Sequence, residues 1–109
     1  LTRLYDWLRD QMTQGPTLEA AARAFGVSPA TLKRQLARHG THFQAELDQV
    51  RAHAALHLFH HEGWGNEAVA GFLGFHDVAN FRRSFRRWTG VTPRLLRDHL
   101  LALAGLGGG

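Results

Sequence analysis

Apolar residues recur at helical spacing through this chain, and two separate stretches repeat the same pattern. Leu32 and Leu36 are four residues apart behind one glycine turn, and Phe81 and Phe85 are four apart behind another. Residues four apart share one face of an α-helix, so each pair predicts a helix with a single buried face. The chain therefore carries a duplicated helical unit.

Each copy of this unit consists of a short helix, a glycine turn and a second helix. Residues 19–27 read Glu-Ala-Ala-Ala-Arg-Ala-Phe-Gly-Val, and residues 67–75 echo them as Glu-Ala-Val-Ala-Gly-Phe-Leu-Gly-Phe. Ser28 and Asp77 follow as expected N-cap residues, with His76 as an extra residue in the second turn. This order predicts two helix-turn-helix motifs, whose second helices fit the major groove of DNA.

The other segments also predict helices, while no alternating run of β-branched residues predicts a strand. We expect an all-α fold of seven helices, with two helix-turn-helix units joined by a long linker helix. The first helix is expected over 2–13 and the last over 94–103. The expected divisions are a first helix-turn-helix subdomain 1–40, the linker helix 41–62, a second subdomain 63–104 and a glycine-rich disordered tail 105–109.

The linker helix is expected to act as a spacer between the two motifs. Twenty helical residues span about 30 Å, close to the ~34 Å between successive major-groove faces of B-DNA. Its apolar face is predicted to contain Phe43, Leu47, Val50, Ala54 and Leu58.

Positive charge is concentrated on the two repeats. The net charge of the chain is +4. Residues 17–39 carry a balance of +3 and residues 75–99 a balance of +4, so the rest of the chain is acidic. Because the positive charge lies on the two repeats, this distribution favours a polyanionic partner over a basic surface that is merely solvated. The absence of cysteine excludes disulfides and thiolate metal sites.

Other candidate chemistry in the chain has weaker support. Histidines at 53, 57, 60 and 61 lie near one helical stripe and could share a metal ion, but surface histidines are the favoured interpretation. Trp7, Trp64 and Trp88 could stack on bases, although packing against helices is expected. No nucleophile motif, phosphate loop or close carboxylate pair indicates an enzyme, and no cofactor or metal is expected. No apolar run is long enough to cross a bilayer.

The second repeat carries a recognisable signature. Gly74-Phe75 precedes Asp77-Val78-Ala79-Asn80-Phe81-Arg82-Arg83-Ser84-Phe85, and Gly90-Val91-Thr92-Pro93 closes the run. It resembles the AraC/XylS family of bacterial transcription regulators, and the resemblance covers roughly residues 1–100. Two positions depart from the family pattern: Asn66 replaces an apolar residue, so the helix there is expected to start late or pack loosely, and Leu96 replaces a frequent aromatic.

The resemblance implies sequence-specific binding of double-stranded promoter DNA, with recognition helices 28–39 and 77–89 in successive major grooves. It also implies a bacterial cytoplasmic protein at the nucleoid, not at a membrane. Since the chain begins at Leu1, we expect an N-terminal sensor or dimerisation domain in a longer protein. RNA polymerase is a second candidate partner, and the alternative function is a helical protein-interaction module that uses the basic faces.

The family's base-reading positions fall on exposed sites of the two recognition helices: Ala30, Lys33, Arg34, Val78, Ala79, Arg82 and Arg83. Other side chains and helix N-termini are expected to contact phosphates, which position a protein without reading sequence. These are Thr17, Ser28, Thr31, Arg38, Asn66, Asp77, Arg86 and Arg87.

Overall fold

The computed structural model describes residues 2–90. Their α-helices are α1 (Thr2–Gln11), α2 (Leu18–Ala24), α3 (Pro29–Arg38), α4 (Phe43–His60), α5 (Asn66–Phe72) and α6 (Val78–Thr89). Within this range the fold is all-α and contains no strand, as predicted. The predicted seventh helix over 94–103, Leu96 and the glycine-rich tail lie outside the described residues.

The chain divides into two compact units between Arg51 and Ala52, a boundary inside α4. The first unit thus contains α1, α2, α3 and the start of α4, and the second contains the end of α4, α5 and α6. Each unit includes one predicted helix-turn-helix motif. The long central helix contributes residues to both units.

Helix α1 ends earlier than predicted. It stops at Gln11, and Met12–Gln14 form a 3₁₀ turn. Gly15 then adopts a left-handed conformation with φ of 64°, which a residue with a side chain rarely adopts. Leu4 and Leu8 of α1 are buried in the first unit.

The two helix-turn-helix motifs repeat one another closely. Helix α5 begins at Asn66, 48 residues after Leu18 begins α2, and α6 begins at Val78, 49 residues after Pro29 begins α3. The predicted duplication and the single extra residue, His76, are therefore confirmed.

The turn between the helices also has the same hydrogen bonds in both motifs. The amide of Val27 donates to the carbonyl of Ala22 at 3.0 Å, and the amide of Phe75 donates to the carbonyl of Ala70 at 2.9 Å. This bond satisfies a carbonyl that the helix end leaves free. The predicted left-handed glycine precedes it in each turn, and Gly26 has φ of 69°.

The buried side of α4 differs from the prediction. Leu47, Val50 and Leu58 are buried as expected, but Phe43 and Ala54 are only half-buried. The prediction missed three buried residues, Ala52, Ala55 and Phe59. A single apolar stripe does not describe this helix, because its two ends belong to different compact units.

Aromatic rings form the core of the second unit. Phe81 and Phe85 are both fully buried, with ring centroids 5.8 Å apart. Phe59 packs on both, at 6.3 Å from Phe81 and 5.9 Å from Phe85. Ser84, which the repeat pattern did not mark as a core position, is also buried. The inward pair of α6 thus fixes which of its faces remains in solvent.

Candidate nucleic-acid interface

The outer face of α3 carries the residues predicted to read bases in the first motif. Leu32 and Leu36 point inward and are 5% and 3% exposed. Ala30, Lys33 and Arg34 are exposed, since they lie on the remaining faces of the same helix. The structure therefore places these three residues on an accessible surface.

A chain of hydrogen bonds at the start of α3 was not predicted. The Ser28 hydroxyl accepts the amide of Thr31 at 3.1 Å, which confirms Ser28 as the N-cap. The same hydroxyl donates to Thr31 Oγ1 at 2.9 Å, and the Arg34 guanidinium donates to Thr31 Oγ1 at 3.1 Å. Thr31 is half-buried and holds the arginine along the helix surface. Its hydroxyl was expected to contact phosphate, but here it is bonded within the protein.

The outer face of α6 carries the corresponding residues of the second motif. Ala79, Arg82 and Arg83 are exposed. Val78 is half-buried, so only part of its side chain is available to a base. The carboxylate of Asp77 accepts the amide of Asn80 at 2.6 Å, which confirms Asp77 as the N-cap.

The cations of these two helices have no acidic partner among residues 2–90. The ion pairs in that range join Arg9 to Asp6 and Asp10, and His57 to Glu62. The exposed cations of α3 and α6 are Lys33, Arg34, Arg38, Arg82, Arg83, Arg86 and Arg87. Their charge is not neutralised by the described part of the chain, so it is available to an external anion.

The helix N-termini predicted to contact phosphate differ in their caps. The hydroxyl of Thr17 accepts the amide of Ala20 at 3.1 Å, as expected of an N-cap. Helix α5 has Gly65 as its N-cap, with no side-chain bond, and Asn66 is its first helical residue. The expected late start of α5 is wrong, because α5 begins at the position equivalent to the first residue of α2. The Asn66 side-chain oxygen is buried without a hydrogen-bond partner in the described structure.

The histidines at the end of α4 lie close together on the surface. The ring centroids of His57 and His61 are 4.8 Å apart, and those of His60 and His61 are 4.6 Å apart. Residues 2–90 contain no group of three histidine, cysteine or acidic residues arranged to hold a metal ion. His57 Nε2 instead lies 3.8 Å from a carboxylate oxygen of Glu62.

Each tryptophan packs against a phenylalanine, as the packing interpretation predicts. The ring centroids are 6.3 Å apart for Trp7 and Phe25, 5.7 Å for Trp64 and Phe72, and 5.9 Å for Trp88 and Phe75. All three tryptophans are half-buried. Among the described helices, none combines the length and apolar character that a membrane-spanning segment needs.

Residues 21–99 match the family of helix-turn-helix domains. The ornithine utilization regulator of Pseudomonas aeruginosa is 40% identical over 90% of this chain and 29% of its own length. The transcriptional activator RhaS of Escherichia fergusonii is 37% identical over 90% of this chain and 36% of its own length. The chain thus spans about a third of the length of these regulators.

Solved structures share the fold over most of this chain. The DNA-binding transcriptional dual regulator from Escherichia coli K-12 superposes with a TM-score of 0.85 and 28% identity, covering 93% of this chain and 91% of that one. The transcriptional regulator CdpR of Pseudomonas aeruginosa gives a TM-score of 0.78 and 36% identity, covering 88% of this chain and 30% of that one.

Paired helix-turn-helix motifs with exposed basic second helices define a DNA-binding domain of a transcription regulator. The chain belongs to the AraC family of these regulators, as the signature around Phe81 and Phe85 indicated.

Proposed function

We propose that this chain binds double-stranded promoter DNA sequence-specifically, with α3 and α6 in successive major grooves. The observation that carries the proposal is the matched pair of exposed helix faces whose cations lack acidic partners among residues 2–90. Equivalent positions bear like charges, since Lys33 corresponds to Arg82 and Arg34 to Arg83. Both helices therefore offer the same kind of donor to a base edge.

The residues in the first two turns of each helix that are exposed, together with the half-buried Val78, are proposed to read bases. An arginine or lysine can hold guanine O6 and N7 together, which contributes about 1–3 kcal/mol of discrimination per contact. Alanine and valine have no side-chain donor and would contact the methyl group of thymine. The proposed base-reading set is Ala30, Lys33, Arg34, Val78, Ala79, Arg82 and Arg83.

The residues further along each helix and at the helix starts are proposed to contact phosphates. The cations Arg38, Arg86 and Arg87 are exposed and lie in the last turns of α3 and α6. The N-termini at Thr17, Ser28, Asn66 and Asp77 would contribute backbone amides, because the first turn of a helix leaves amides without a partner inside the helix. The Thr31 hydroxyl would contact a phosphate only if its hydrogen bond with Arg34 were broken.

The proposal also concerns the protein around this domain. The chain spans about a third of the length of its regulator relatives. We expect the longer protein to carry a sensor or dimerisation domain, and RNA polymerase to be a partner of the DNA-bound regulator.

A binding titration tests the DNA proposal. Sites are first selected from a random DNA pool, and the selected site is compared with a scrambled duplex at several salt concentrations. Arg83→Ala is expected to relax preference at one base pair, while Arg87→Ala is expected to weaken all sequences alike and to reduce the salt dependence. Equal affinity for both duplexes at every salt concentration would contradict sequence-specific binding.

A further inference from the structure

The first unit has an open groove of about 460 Å³ beside α3. Leu32 and Leu36 form part of its apolar lining, together with the half-buried ring of Phe25. Arg3 and Arg38 lie at its edge, and the Arg3 guanidinium lies 5.6 Å from the Phe25 ring centroid. Among residues 2–90, no acidic residue lines the groove. The groove therefore suits a ligand that has an apolar group for the lining and a negative charge next to that group for the arginines.

The second motif shows which kind of apolar group fits such a space. At the positions equivalent to Val27, Leu32 and His39, it has Phe75, Phe81 and Trp88. The Phe75 ring centroid is 5.5 Å from that of Phe81 and 5.9 Å from that of Trp88. In the second motif, packed aromatic rings thus occupy the positions whose equivalents line the open groove of the first motif. The groove of the first unit has the surroundings to accept an aromatic side chain.

The second unit carries an aromatic pair, Trp64 and Phe72, that has no counterpart in the first. Phe72 at the end of α5 is 39% exposed, and it is the one large hydrophobic residue exposed among residues 2–90. The Trp64 ring packs edge-on against it at 5.7 Å. The equivalent of Phe72 in α2 is Ala24.

The exposed side of α5 around this pair is small and acidic. Ala68 lies one turn before Phe72 and Gly71 directly precedes it; both are small and exposed, so another backbone can approach closely. Glu67 is exposed on the same side and forms no ion pair with the described residues. We call Trp64, Glu67, Ala68, Gly71 and Phe72 the aromatic patch.

We propose that the aromatic patch of one copy of this chain docks into the groove of a second copy. The apolar rings match the apolar lining, and the carboxylate of Glu67 matches the guanidinium group of Arg3, which is not among the proposed DNA contacts. The contact uses two different surfaces, so in each pair one copy keeps a free groove and the other keeps a free patch for further neighbours. It is a small interface of the transient class, and copies bound side by side on DNA would strengthen it by proximity.

Self-association of the full chain without DNA tests this contact and does not depend on the proposed DNA binding. Sedimentation at high micromolar to millimolar concentration is expected to show reversible association of the unaltered chain. Phe72→Ala is expected to weaken it about tenfold, as the loss of one buried aromatic side chain predicts. Val27→Phe places a ring in the groove and is expected to weaken it to a similar extent.

Mixing the variants distinguishes this head-to-tail contact from a symmetric one. The Phe72→Ala chain keeps its groove and the Val27→Phe chain keeps its patch, so the mixture is expected to form a heterodimer, whereas each chain alone associates about tenfold more weakly. A charge exchange gives an independent test that leaves the core intact. Arg3→Glu and Glu67→Arg chains are each expected to associate weakly alone but to associate when mixed. Glu19→Arg, the equivalent change on α2, is the matched control: this chain keeps both surfaces and is expected to associate alone as well as the unaltered chain does.

A monomeric unaltered chain at millimolar concentration would overturn the proposal, as would variants that associate as well alone as mixed. If the chain stays monomeric but its groove binds a synthetic acidic peptide with an aromatic residue, the occupant is a different protein and the second-copy proposal is wrong.

Discussion

The hydrogen bond between Arg34 and Thr31 orients an arginine that we propose reads a base, and Thr31→Val tests this dependence. Valine keeps the branched shape of threonine but removes the hydroxyl that accepts the guanidinium at 3.1 Å. The cap is preserved, because Ser28 bonds the backbone amide of residue 31 rather than its side chain. The change therefore affects the orientation of Arg34 more than the stability of α3.

The size of the effect follows from the exposure of this bond. A solvent-exposed hydrogen bond of this kind contributes about 1 kcal/mol net, which corresponds to about fivefold in relative affinity. We expect Thr31→Val to reduce the preference at the base pair read by Arg34 by about this factor. Competition binding with single-base variants of the selected site measures that preference position by position.

The helix α6 provides an internal control for this experiment. Asn80 occupies the position equivalent to Thr31, and no side-chain hydrogen bond joins it to Arg83 in the described structure. Asn80→Ala is therefore expected to leave the preference at the Arg83 position unchanged. The reasoning would be refuted if Thr31→Val weakened all sequences equally, or if it had the same effect in an Arg34→Ala background, where no guanidinium remains to be oriented.

Two further predictions concern stability and are measured as free energies of unfolding in urea. Gly74→Ala should destabilise the chain by about 1–2 kcal/mol, because Gly74 has a positive φ that alanine adopts only with strain. Gly71→Ala should stabilise the chain by about 0.5–1 kcal/mol, because Gly71 has open space around it and no positive φ. Two effects of the same sign would contradict this reasoning. Phe81→Ala should destabilise the chain by about 3–5 kcal/mol, since the ring is fully buried among aromatic neighbours, and a loss below 1 kcal/mol would show that the site collapses around the smaller residue.

Local signals in the sequence predicted the motifs well. The caps at Thr17, Ser28 and Asp77 follow from side chains that bond amides three residues ahead, and the structure has those bonds. The left-handed turn at Gly26 is equally local. The inward pair Leu32 and Leu36 follows from helical periodicity alone. Such features depend on neighbours within a few residues, so one sequence is enough to find them.

Features that depend on distant packing were not predictable in the same way. The buried residues of α4 include Ala55 and Phe59, because this helix serves two compact units rather than one. The bond from Arg34 to Thr31 depends on rotamers that a pattern does not specify. The half-burial of Val78 depends on what packs beside the start of α6.

The placement of the tryptophans gives each compact unit its own fluorescent reporter. Trp7 lies in the first unit beside Phe25. Trp64 and Trp88 lie in the second unit, beside Phe72 and Phe75 respectively. A chain that retains only Trp7 would report emission changes from the first unit alone, and a chain that lacks it would report on the second. Denaturation curves from the two chains would show whether the halves of this domain melt together or one after the other.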